Sequence, residues 1–92
     1  MSVDAKAAMR HHFSVHVQPD PNVLARIVEP FVIHDVLPAR LAAGIDPSGV
    51  DYVVSIEVVA SADLAARLCA RLAAMPPVRR VVHDPLVRAT AA

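Results

Sequence analysis

Two histidines and a glutamate, His12, His16 and Glu57, are the side chains whose types could together do metal chemistry. His12, Ser14 and His16 alternate with Phe13, Val15 and Val17, the period of two expected of a strand with one buried face, so both imidazoles share its outward side. Glu57 falls in a second alternating stretch and can lie beside them on a neighbouring strand. Two imidazoles and a carboxylate can hold zinc. Residues four apart on a strand, however, lie about 13 Å apart, too far for both histidines to reach one ion. Solvated polar side chains on an open sheet face explain the pattern equally well, and no metal ligand is assigned. The single cysteine, Cys69, supplies neither a disulfide nor a paired-thiolate motif and reads as a small buried apolar residue.

Catalytic patterns are absent. There is no Ser-His-Asp spacing, glycine-rich phosphate loop or paired-carboxylate motif. Asp46, Asp51 and Asp84 read as surface residues, and His34 and His83, at the ends of predicted elements, are expected to face solvent. No catalytic residue and no cofactor is assigned. The remaining candidate is the turn Gln18-Pro19-Asp20-Pro21-Asn22, which opens a helix. Free N–H groups around Asn22 to Leu24 can receive a carboxylate with help from the helix dipole. An ordinary capped helix start accounts for the same residues, and the pattern alone leaves both readings open.

The elements that must position these residues follow from periodicity. A strand spans His12 to Val17. A helix is expected from Pro21 or Asn22, with Asp20 as N-cap and Pro21 in the first helical position. Leu24, Ile27, Val28 and Phe31 form its buried stripe, Pro30 should kink it, and Asp35 and Pro38 bracket its end. Val23, Pro30 and Ile33 would then form a second, exposed apolar face. Val36 to Ala43 reads as an edge strand that tolerates a proline. Gly44 to Val50 reads as a turn by its Asp-Pro-Ser-Gly chemistry, and Tyr52 to Val59 as the strongest strand. A second helix is expected from Ala62 to Ala74, capped by Ser61, with Leu64, Leu68 and Leu72 buried and Asp63 paired to Arg67. Pro76-Pro77 ends it, and Val78 to His83 is the last strand. Residues 1–10 read as a loose arm, 11–84 as the domain and 85–92 as a tail. Strand, helix, strand, strand, helix, strand predicts an α+β, ferredoxin-like βαββαβ sandwich: a four-stranded antiparallel sheet with two helices on one face.

Composition bounds the function. Ninety-two residues, 55% of them hydrophobic and only 3% aromatic, make one aliphatic core, small enough that association with another chain would help it. A formal net charge of zero argues against a phosphate-backbone binder, and the outward residues of the strands offer no aromatic platform for RNA bases. No signal-peptide pattern and no 18-residue apolar run is present, which leads to a cytoplasmic expectation with no membrane partner.

The run Val15-His16-Val17-Gln18-Pro19-Asp20-Pro21-Asn22-Val23-Leu24-Ala25-Arg26-Ile27, continuing to Ala43, resembles the opening half of ACT domains, the amino-acid-sensing regulatory modules. There a first strand enters an Asp-x-Pro-Gly-type turn and a helix of Leu-x-x-Val/Ile character. The likeness covers residues 12–84 and is greatest to the short small subunit of acetohydroxyacid synthase. It implies a non-catalytic regulatory domain that pairs side by side with a second copy through the edge second strands and partners a larger biosynthetic enzyme. An effector amino acid, branched-chain in such a subunit, would sit between the first turn of one protomer and the second-strand region of its neighbour. By position this implicates Gln18, Asp20, Asn22, Val23 and Leu24, with Pro38, Ala39 and Arg40 across the interface. Where the family has a helix-start glycine this chain has Asn22, whose side chain crowds the backbone approach a ligand needs. The rival reading is a structural dimerisation module with an empty turn. An enzyme with its site on the open sheet face would instead require a buried His16–Glu57 pair.

Overall fold

Alternation carries the first strand further than His12. In the computed structural model, which describes residues 8–85, β1 runs Met9–Val17 and buries His11, Phe13, Val15 and Val17 on one side. After it come α1 (Val23–Ile33), β2 (Arg40–Ile45), β3 (Tyr52–Ala60), α2 (Ala62–Ala73) and β4 (Val78–Pro85). The strands form one four-stranded sheet in the order β2-β3-β1-β4, antiparallel throughout. This is the ferredoxin-like βαββαβ arrangement expected from the sequence. Phe13, Val15 and Val17 of β1 meet Val54, Ile56 and Val58 of β3, and Val23, Ile27 and Phe31 of α1 close over them with Ala65, Leu68 and Leu72 of α2. Phe13 and Phe31 pack edge to face with ring centroids 6.1 Å apart, an arrangement favoured by the aromatic quadrupole.

Several boundaries differ from expectation, each for a local reason. The first strand takes in Met9 and Arg10, placed above in the arm, and Pro85, placed in the tail, is the last residue of β4. Residues 1–7 and 86–92 of the two terminal segments lie outside the described residues. Asp20 does not cap α1. Its Oδ1 accepts the Asn22 N–H at 2.8 Å and its carbonyl accepts that of Val23 at 3.0 Å, so Pro21 and Asn22 form a turn and the helix starts at Val23. The buried stripe differs from the expected one: Val23, Ile27, Pro30 and Phe31 face the core, while Leu24 and Val28 are half-buried. The second apolar face proposed for Val23, Pro30 and Ile33 therefore does not exist; Ile33 is exposed beside Val32 instead.

The chain leaves α1 through a Schellman motif. Val36 N–H reaches back to the Phe31 carbonyl at 2.8 Å and Asp35 N–H to that of Val32 at 3.0 Å, with Asp35 in the left-handed region at φ 59°. Val36 is thereby tied to the helix, and β2 starts only at Arg40, not at Val36. Pro38 precedes the strand, and Gly44, read as turn, lies within it. The β2–β3 turn is organised by Asp46, whose Oδ1 accepts the Ser48 hydroxyl at 2.6 Å and the Gly49 N–H at 3.1 Å; Gly49 supplies the φ of 79° that the turn needs. Ser61 caps α2 as expected, its side chain accepting the Leu64 N–H at 3.1 Å. Leu64 itself is only half-buried, with Ala65 filling the core position, and Asp63 and Arg67 form no ion pair among the described residues.

Candidate functional site

The β1–α1 turn borders a cavity of about 170 Å³ lined by Gln18, Pro19, Asp20, Val23, Arg26 and Pro77. Three of the residues singled out in the sequence, Gln18, Asp20 and Val23, thus meet there. Asn22 and Leu24 do not line it: Asn22 is exposed at the N-cap position and makes no side-chain cap bond, while Leu24 turns toward the core. Two lining residues escaped the sequence reading. Arg26 sits one turn into α1, and because helical Cα–Cβ bonds tilt toward the N-terminus its side chain covers the preceding turn. Pro77 comes from the α2–β4 connection, fixed by the Gln18 N–H donating to its carbonyl at 3.0 Å; only the tertiary fold could reveal it. The cavity holds one carboxylate, Asp20, and one guanidinium, Arg26, at a helix start where the N–H groups of Asn22 and Val23, expected to be free, are already taken by the Asp20 side chain and carbonyl. A zwitterion would find a partner for each end there.

Pro38, Ala39 and Arg40 lie at the other end of the sheet in the same chain. Ala39 N–H donates to the Glu57 carbonyl at 2.7 Å and Arg40 pairs in register with Glu57, whereas the turn follows Val17, which pairs with Tyr52. The separation along the strands is roughly 17 Å.

The open face of the sheet distributes its polar groups into separate pairs. His12 lies opposite Glu57, but its Nε2 bonds to the Ser55 hydroxyl, and Glu57 accepts from Arg10 Nη1 at 3.3 Å. His16 meets neither. Arg80 Nη2 lies 3.3 Å from its Nε2, so that nitrogen accepts and Nδ1 carries the proton, 4.0 Å from Asp51 Oδ2. Asp51 is held in turn by Arg79 Nε at 2.8 Å. The His16–Glu57 pair that would have raised an enzyme reading is not formed, and no group of three or more metal-ligating side chains occurs among the described residues.

His83, expected in solvent, stacks on Phe13 with centroids 4.8 Å apart and planes at 20°. Its Nε2 lies 3.0 Å from His11 Nδ1, and His11 Nε2 lies 3.2 Å from the Ala60 carbonyl. A carbonyl only accepts, so His11 Nε2 carries a proton and its Nδ1 accepts from His83. Burial, reinforced by His11 and opposed by Asp84, holds His83 below its ordinary basicity. His11, only 2% exposed, went unremarked in the sequence, although it continues the inward series Phe13, Val15, Val17 by one step of two. Cys69 is half-buried and unpaired, its thiol pushed up by burial.

No protein-family profile and no curated protein matches the chain. Solved structures do match. The uncharacterized protein TM1266 from Thermotoga maritima superposes with a TM-score of 0.68 at 13% identity, over 87% of this chain and 99% of that one. The C-terminal domain of the MgtC protein from Mycobacterium tuberculosis superposes with a TM-score of 0.68 at 18% identity, over 94% of this chain and 96% of that one. At such identities the likeness establishes the fold, which hosts many activities. No described helix is long and apolar enough to cross a membrane.

Proposed function

We propose that this chain is a non-catalytic, ACT-like regulatory domain that dimerises and binds a small, branched-chain amino acid at the β1–α1 turn, acting on a larger amino-acid-biosynthetic enzyme of the acetohydroxyacid synthase kind. The observation that carries the reading is the turn cavity with Asp20 and Arg26 on its wall. Its volume is below the roughly 300–1,000 Å³ of drug-sized sites and suits a ligand of amino-acid size. In this reading Arg26 receives the carboxylate and the second carboxylate oxygen of Asp20 the ammonium, while Val23 and Pro77 flank the side chain. Two-fold antiparallel pairing of β2 edges would bring the partner's Arg40 toward the Ile45 end of β2, the end of the sheet that carries the turn. The test is calorimetric titration and thermal shift against the twenty amino acids. A ligand at 100 times its dissociation constant should add about 2.7 kcal/mol; Arg26→Ala should remove the shift without lowering the melting temperature of the free chain. A wild-type chain indifferent to every amino acid overturns the sensing role.

A second reading, a structural dimerisation module with no ligand, is favoured by Asp20. Its side-chain oxygen is already occupied by the Asn22 N–H, and all six residues of β2 are exposed on an edge that is unpaired among the described residues.

A further inference from the structure

We infer that the open face of the sheet is a second contact surface, and that its occupant is the same face of another copy of this chain, related by a two-fold axis running along the strands. Both helices lie on the opposite side of the sheet, and directly paired residues share a face. The register therefore reads the open face row by row. One row runs Arg40, Glu57, His12, Asp84 from β2 to β4; the next runs Ala42, Ser55, Ser14, Val82; the third runs Gly44, Val53, His16, Arg80. A two-fold axis along the strands lays β2 over the partner's β4 and β3 over the partner's β1, so each row meets its own reverse.

Charge and shape both favour that operator. In the first row Arg40 meets the partner's Asp84 and Glu57 meets the partner's His12, each contact occurring twice. The two outer pairs lie at the rim, where ion pairs set register and partner choice more than affinity. In the other rows small residues meet large ones. Ala42 and Gly44 line a shallow depression with His16, Asp46, Val53 and Ser55, and a Cβ built on Gly44 has no heavy atom within 4 Å. The partner's Val82 and Arg80 fall over that hollow, with Asp46 beside the guanidinium. Hydrogen bonds from Ser48 hold Asp46 below its ordinary carboxylate range and hence ionised. An axis across the strands would instead set β2 on the partner's β2, hollow against hollow, and Val82 against Val82. This surface is distinct from the β2 edge and is compatible with it.

Arg40 and Asp84 occupy opposite edges of the sheet, roughly 14 Å apart by strand spacing, so neither can compensate the other within one chain. That makes charge exchange diagnostic. By sedimentation equilibrium of the full chain, Arg40→Asp and Asp84→Arg should each weaken one association step at least tenfold, and the double variant should restore it. Gly44→Trp should abolish the same step while circular dichroism and melting temperature stay those of the parent, because no described residue fills the hollow. A double variant as weak as the singles, or a Gly44→Trp chain that associates normally, overturns the proposal. So does a parent chain that stays monomeric at about 100 µM, a concentration at which a specific dimer of micromolar affinity is mostly formed.

Discussion

At His11 the chain buries an imidazole with both nitrogens engaged, one on the Ala60 carbonyl and one on His83. His83 is held below its ordinary value of 6.5 by burial first and by His11 second, with Asp84 acting the other way. The unfolded chain regains the ordinary value and so binds more protons than the native one in mildly acidic solution. Stability is therefore undiminished above about pH 6.5 and declines as pH falls below it. Melting curves should show a loss that sets in as pH falls through about 6.5 and that flattens in His83→Gln, whose amide can still donate to His11. An unchanged slope in that variant would remove His83 from the account. The inward place of His11 was legible in the alternation itself. The place of His83 was not, because it depends on β4 pairing with β1 so that His83 lies opposite Phe13, a contact between distant parts of the chain.

Among the elements, the end of α1 shows how a local pattern was overridden. Val36 to Ala43 has strand-like composition, yet Val36 is spent closing the helix through its bond to Phe31. The hydrophobic periodicity of α1 was likewise readable, but its phase was not: Pro30, compatible with either face by composition, is buried by the packing of α1 on the sheet and α2. The strong third strand and the Ser61 cap needed no such correction, because alternation and capping are local. Asp35 occupies a left-handed position where glycine is ordinarily found. Asp35→Gly should raise stability by roughly 0.5 kcal/mol, the relief of the left-handed strain exceeding the entropy added to the unfolded chain. Thermal unfolding would register this as a rise of about 2–4 °C, and a fall would mean that the Asp35 side chain stabilises the motif by some other contact.

At the scale of the whole molecule, the helices leave one margin of the sheet uncovered. Leu41 and Ile45 point to the helix side of β2 yet remain 43% and 57% exposed, beside a strand edge that has no partner among the described residues. If that margin is where two copies pair, Leu41→Lys and Ile45→Lys should shift the mass toward monomer while leaving the far-ultraviolet spectrum intact. Loss of fold in these variants would instead assign the two side chains to the core. The turn cavity was only half visible in the sequence for the same reason of scale: Gln18, Asp20 and Val23 are neighbours along the chain, whereas Pro77 arrives from the far side of the molecule.

The strand order also dictates when this protein can fold during synthesis. β1 pairs only with β3 and β4, so the first strand to leave the ribosome has no partner until the middle of the chain has emerged, and only one until Val78 to Pro85 follow. Through that interval Phe13, Val15 and Val17 stand on a strand with an unsatisfied edge, the kind of segment that nascent-chain chaperones hold and that aggregates when they do not. A ribosome stalled before Val78 would therefore display five of the six elements and still be unable to complete the sheet.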